Sequence, residues 1–167
     1  MTIELKKINT NNLEELDLNL NSECVTNFPK IEESAMAIVI YKNKILATNE
    51  LIYGNEKISL PKGHKEENET ILETAIRECF EETNIVLKDS NLVKKLEPFS
   101  YDFSTPNNDL IRKMIYPFLF RVDEGGIPLP KEERILWVRW IEIAEFINIC
   151  TYENIKVIVE NIFKKGE

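Results

Sequence analysis

Between residues 35 and 41 the chain reads Ala-Met-Ala-Ile-Val-Ile-Tyr, an unbroken apolar run rich in β-branched side chains. A run this short and this apolar predicts a buried strand. The polar Lys-Asn-Lys at residues 42–44 predicts a tight turn into Ile-Leu-Ala-Thr-Asn-Glu-Leu at residues 45–51, and so a hairpin. Further strands are predicted at Ile58 to Leu60, around Val93–Phe103, and through residues 111–122. Pro117 inside the last of these predicts an edge position or a bulge, because proline cannot donate to a ladder. The turn-rich DEGGIPLPKEE at residues 123–133 predicts a long loop, followed by a strand over ILWVRWI. IEIAEFI and YENIKVIVENIFKK then predict two helices, and near the start a strand is expected at Ile3–Ile8 before an Asn-Thr-Asn-Asn turn. Strands mixed with helices without strict alternation predict an α+β layered sandwich. With no repeat, low-complexity tract or linker, residues 1–167 are expected to form one domain.

The stretch LPKGHKEENETILETAIRECFEETNI, residues 60–85, predicts a helix capped by Asn68 and fading near Thr83. At about 100° per residue, Leu72, Ala75, Ile76, Cys79 and Phe80 fall on one side and are expected to face the core. Glu78, Glu81 and Glu82 span roughly 100° of arc on the other side. Arg77 precedes Glu81 by one helical turn and offsets part of that charge. Two readings stay open from the helix by itself. Water screens an ordinary Glu-rich face, or a hard cation such as Mg²⁺ sits among the oxygen ligands.

Charge narrows the partners. The net charge of −8 and pI near 4.9 argue against general binding to nucleic acid or to anionic membranes. A small anionic substrate would need a local cation, supplied by Lys, Arg or a metal. Cys24, Cys79 and Cys150 are widely spaced, with no CxxC pattern and no close histidine, which argues against zinc. Reduced thiols, the absence of an apolar signal segment and the lack of a membrane-length apolar run lead us to expect a cytoplasmic protein.

The 63–85 segment carries a denser pattern: Gly63, five residues, Glu69, seven residues, Arg77-Glu78, then Cys79, one residue, Glu81-Glu82, one residue, Asn84 and Ile85. Six fixed matches of this kind arise by chance in about one chain in 10⁵. The pattern resembles the Nudix box, which has glycine where this chain has Asn84 and an aliphatic residue where it has Cys79. The order of strands before and helices after the box also resembles that family. The resemblance implies a Nudix-type α/β/α sandwich with a mixed β-sheet. It also implies a pyrophosphohydrolase that cleaves a nucleoside diphosphate linked to another moiety, using Mg²⁺ or Mn²⁺.

Carried onto this sequence, the resemblance makes Glu78, Glu81 and Glu82 metal ligands, joined by the Gly63 carbonyl, and makes Glu69 and Arg77 a structural pair. Family members differ in which glutamate is the general base. Glu78 is the first candidate, within a catalytic set of Glu78, Glu81 and Glu133, and Glu132 is the alternative to Glu133. The Pro-Lys-Gly-His at residues 61–64 resembles the form found in diadenosine tetraphosphate hydrolases of the family, which points to a dinucleoside polyphosphate. Nucleoside triphosphates, nucleotide sugars, ADP-ribose, or a non-catalytic nucleotide-binding role are the alternatives. Lys62, His64 and Arg112 are the candidate substrate-binding residues. Lys62 is either a phosphate contact or an exposed loop lysine, and His64 is either a loop hydrogen-bonding group or an acid–base. Arg112 and Lys113 are neighbours on a strand, so only one of them can face a given side. Tyr101, Phe103, Tyr116 and Phe118 are either base-stacking groups or sheet packing. Trp137 and Trp140 should face opposite sides, with Trp140 under the final helices. A homodimer is compatible with all of this.

Overall fold

The apolar run at residues 35–41 forms the centre of β1 (Lys30–Tyr41), where six consecutive residues from Ala35 to Ile40 are buried. Burial on both faces follows from its partners. A computed structural model describes residues 29–164, and in it β1 pairs in parallel with β7 (Leu110–Arg121) over eleven residues. Helices cover both faces of this pair, the setting in which strands read as continuous apolar runs. The strand expected at Ile3–Ile8, its Asn-rich turn and Cys24 lie outside the described residues.

The chain then makes the expected hairpin into β2 (Lys44–Ile52), with Lys42 in a left-handed turn conformation. A second hairpin leads to β3 (Asn55–Ser59), turning at Tyr53 and Gly54, both with positive φ. The strand expected at Ile58 to Leu60 therefore starts and ends earlier. Only Ile40 and Tyr41 of β1 pair with β2. Further down, the two strands splay, and β4 (Lys62–His64) pairs with Ser34–Met36 in the gap. Two backbone bonds stitch this segment to β1: Ala37 donates to the Pro61 carbonyl and Lys65 to that of Glu33, both at 2.9 Å.

β5 (Leu92–Lys95) and β6 (Phe99–Ser104) both pair with β7, and β8 (Ile135–Glu142) closes the other side against β2. The result is an eight-stranded mixed sheet. The single strand expected at Val93–Phe103 is broken in two, and Pro117 explains the break. Lys95 opposes Phe118 and Phe99 opposes Ile115, so residues 96–98 stand opposite only two residues. The Pro117 carbonyl accepts from Leu96 at 3.0 Å, and its missing N–H falls on that same side. The bulge expected from Pro117 is thus in the neighbouring strand, and β7 itself is interior rather than an edge.

One face packs against α1 (Ile71–Thr83), where Ala75 and Cys79 meet Ala35, Ala37, Val39, Phe118 and Phe120. The other packs against α2 (Ile143–Ile149) and α3 (Glu153–Lys164), through Phe146, Ile155 and Val159 against Met36, Ile38 and Ile115. The fold is an α/β/α sandwich. The two tryptophans do face opposite sides, with their places exchanged from expectation. Trp137 packs on the α2–α3 face, whereas Trp140 lies on the α1 face and donates to the Gly125 carbonyl at 2.7 Å. Among the described residues no helix is long and apolar enough to cross a membrane.

α1 departs from its predicted wheel. Its N-cap is Thr70, which accepts from the Glu73 amide at 3.2 Å while Glu73 accepts from the Thr70 amide at 2.6 Å. This is a capping box. Asn68 lies two residues outside, in a left-handed turn. The buried face carries Glu78 and Glu82 along with Ala75 and Cys79, while Phe80 is 40% exposed beneath the Lys131 ammonium. The polar face is pressed against β4 rather than turned to water. The helix ends at Asn84, with φ 64° and ψ 11°, its amide donating to Phe80 at 2.9 Å. This is the left-handed cap expected where the box has glycine. Asn84→Gly should leave the melting temperature nearly unchanged, whereas Asn84→Val should cost roughly 1–2 kcal/mol, read by thermal or urea unfolding.

Candidate active site

Gly63 lies beneath α1 at close range. A Cβ built there would meet the Glu78 carboxyl carbon at 2.0 Å, so only glycine leaves room for the Glu78 carboxylate in this place. Arg77 organises the rest of this side. It forms a fork with Glu69 (2.8 and 3.0 Å), donates to the His64 carbonyl at 2.8 Å, and reaches Glu78 and Glu81 from one nitrogen, Nη1, at 2.8 Å each. The Glu69–Arg77 pair therefore ties the loop to the helix, and the hydrogen bonds from Arg77 hold the Glu69 carboxyl down at about 2. Burial, opposed by Arg77, pushes the Glu78 carboxyl above its ordinary range.

A second cluster lies behind the first. Glu82 is 0% exposed and accepts from the Lys62 amide at 3.1 Å. Burial raises its carboxyl to about 7, against the pull of Lys62 and Arg134. Glu50, on β2, is also buried and pairs with Lys62 Nζ and, at 2.8 Å, with Arg134 Nη1. Arg134 Nη2 binds Glu82, and its Nε donates to Glu132 at 2.8 Å. Glu50 and Arg134 were not legible in the sequence. A lone Glu at the end of an apolar strand carries no motif, and Arg134 lies in a loop outside the 63–85 pattern.

On the α2–α3 side of the sheet a cavity of about 690 Å³ opens between the strands and α3. Lys62, Lys113 and Arg134 line it together with His64, and Tyr101, Phe99 and Tyr152 supply aromatic surface. Lys113 has no ion-pair partner among the described residues. Burial first, then Lys62 and Arg134, lower its ammonium. Burial and Lys113 likewise lower His64, whose Nε2 lies 3.4 Å from Glu32. An anion entering the cavity would relieve this crowding of positive charge.

The structure brings Gly63, Glu78, Glu81, Glu82, Lys62 and His64 to one end of the sheet, with Glu69 and Arg77 beneath them. Arg112 is not among them. It points to the opposite face and forks onto Asp102 at 2.8 Å, while alternation along β7 sends Lys113 into the cavity instead. Glu133 is exposed and lines no part of the cavity, whereas Glu132 is drawn in by Arg134. Phe118 is core, Tyr116 bonds Glu33, and Phe103 sits beside Tyr101 on the same face of β6, their ring centroids 6.1 Å apart, without lining the cavity.

The donor set fits a hard divalent cation: Glu78 and Glu81 already aim oxygens at one positive nitrogen, and Glu82 lies on the same helix face. Among the described residues no three side chains stand preassembled as a ligand set, because Arg77 and Arg134 hold these carboxylates.

The chain belongs to the Nudix family: the NUDIX domain model matches residues 32–161. Its class is that of the pyrophosphohydrolases. In fold it is similar to an Ap4A hydrolase of C. elegans, with 19% identity, a TM-score of 0.63, and 81% of this chain and 99% of that one covered. It is similar also to a MutT protein of Bacillus halodurans, with 23% identity, a TM-score of 0.63, and 78% and 81% covered. A bifunctional NMN adenylyltransferase/ADP ribose pyrophosphatase of Francisella tularensis is 27% identical with a TM-score of 0.63, over 91% of this chain and 44% of that one. No curated protein matches the sequence closely enough to count as a relative.

Two outcomes follow from the geometry. Gly63→Ala must displace the flexible Glu78 carboxylate, so its melting point should stay close to the parent's while turnover falls on the order of a hundredfold. For Glu69, the folded-state value of about 2 lies below the ordinary 4.5, so its stabilisation is present above pH 4.5 and lost as pH falls through 2. Glu69→Gln should therefore flatten the acid limb of a stability–pH curve across that window.

Proposed function

We propose that this protein hydrolyses a nucleoside diphosphate linked to a second moiety, with a dinucleoside polyphosphate as the preferred substrate. The observation that carries this reading is the meeting, at one end of the sheet, of a carboxylate-bearing helix and a cavity lined by three cationic side chains. Glu78, Glu81, Glu82 and the Gly63 carbonyl would hold Mg²⁺ or Mn²⁺. Such a cation neutralises the pyrophosphate and lowers the pKa of the attacking water.

The chain's own groups do the rest. Lys62 and Lys113 receive phosphate oxygens as point charges. Tyr101 and Tyr152 offer faces to a base. Glu78 is the first candidate to take the proton of the water, and Glu132, drawn in by Arg134, is the candidate from the loop. Lys62-Gly63-His64 favours the dinucleoside polyphosphate over ADP-ribose or a nucleoside triphosphate. A screen of these compounds with Mg²⁺, read by chromatography of the products, ranks them. If the compounds bind and none is cleaved, the protein is a binding module instead.

Glu81 is the cleanest ligand to remove, since its side chain is 46% exposed and its loss leaves no buried charge unpaired. Glu81→Gln should keep the fold and lower hydrolysis about a hundredfold or more, on the order of 3 kcal/mol. Mg²⁺ should raise the melting temperature of the parent, and full activity in excess chelator would overturn the metal requirement. Hydrolysis in ¹⁸O-labelled water under single-turnover conditions should label one product phosphate. Unlabelled product would mean that an enzyme nucleophile had delivered the oxygen.

A further inference from the structure

Every nitrogen of the Arg134 guanidinium is taken by a carboxylate: Nη1 by Glu50 at 2.8 Å, Nη2 by Glu82, and Nε by Glu132 at 2.8 Å. The same side chain lines the cavity beside Lys62 and Lys113. The partners differ in freedom. Glu82 and Glu50 have side chains 0% and 3% exposed, while that of Arg134 is 42% exposed. Its backbone is fixed, its carbonyl accepting from Leu51 at 2.7 Å and the Ile135 amide bonding Glu132 at 3.0 Å. Here the carboxylates are anchored and the cation can turn.

Two buried carboxylates within reach of one another must be offset by positive charge or by protonation. Lys62 serves Glu50, but without Arg134 the bond left to Glu82 is that from the Lys62 amide. A planar fork of donors also suits a phosphate better than an ammonium does. We propose that Arg134 is a positioning residue that couples the two ligands of this site. A phosphate in the cavity draws its guanidinium off Glu82 and Glu50, and the released Glu82 is free to join Glu78 and Glu81 on the divalent cation while Lys62 stays on Glu50. The inference rests on the metal-dependent reading given above. Linkage makes it reciprocal: phosphate strengthens cation binding by the factor by which the cation strengthens phosphate binding.

The test is a Mn²⁺ titration followed by electron paramagnetic resonance of the free ion, on the full chain, with and without a methylene-bridged nucleoside polyphosphate. Removing a structural arginine weakens or spares metal binding, whereas removing a competing cation strengthens it. Arg134→Gln should bind Mn²⁺ alone about tenfold more tightly than the parent. It should also lose the part of the nucleotide-induced gain that exceeds chelation by the nucleotide itself. Arg134→Lys keeps a charge near Glu82, guards against loss of folding, and should fall between the two. Unchanged or weaker Mn²⁺ binding in both variants overturns the coupling while leaving the hydrolase reading intact. No Mn²⁺ binding by the parent, with or without nucleotide, overturns both.

Discussion

Glu50 and Glu82 come from different elements, a strand and a helix, and meet with almost no access to water. In a chain of net charge −8 that placement is costly unless cations are delivered to the same point. Lys62 arrives from β4 and Arg134 from the turn just before β8, each held by backbone hydrogen bonds. The site is thus a solution to a burial problem, and the position of β4, the path of the 123–134 loop and the packing of α1 all follow from it. On the exposed side Arg77 gives the same service to Glu69, Glu78 and Glu81.

The splay of the first hairpin is what makes room for this. Because β1 and β2 part after two paired residues, β3 and β4 enter the gap and carry Lys62 and Gly63 through the sheet layer. Lys62 therefore reaches the cavity on one face while its neighbour Gly63 lies under Glu78 on the other. Glycine at this crossing is a geometric need, since any side chain would occupy the place of the carboxylate.

What could be read in advance was whatever depends on local spacing. The strand at residues 35–41 and the paired final helices were legible because each is set by neighbours in sequence, whereas the Glu69–Arg77 pairing and the left-handed Asn84 followed from the resemblance of residues 63–85 to the Nudix box. The Thr70–Glu73 box was equally legible in its Thr-x-x-Glu spacing, yet Asn68 drew the cap to itself. The helix wheel failed for a different reason. It sorted residues by polarity, and Glu82 is buried because a lysine and an arginine distant in sequence come to meet it. Glu50, Arg134, the choice of Lys113 over Arg112, and the face taken by Trp140 depend on strand order and register. No single segment encodes these.

The interruption between β5 and β6 has a bearing on how such a protein can change over generations. β6 supplies Phe99 and Tyr101 to the wall of the cavity, while β5 and the core are held separately by β7. An insertion or deletion at residues 96–98 is absorbed where the ladder is already broken, opposite a proline that has no N–H to donate and holds this segment only through its carbonyl, which accepts from Leu96. This wall of the cavity can thus be reshaped without shifting the register of the strand that carries Lys62 or the helix that carries the carboxylates. The cavity wall and the carboxylate helix sit on parts of the fold that can diverge at different rates.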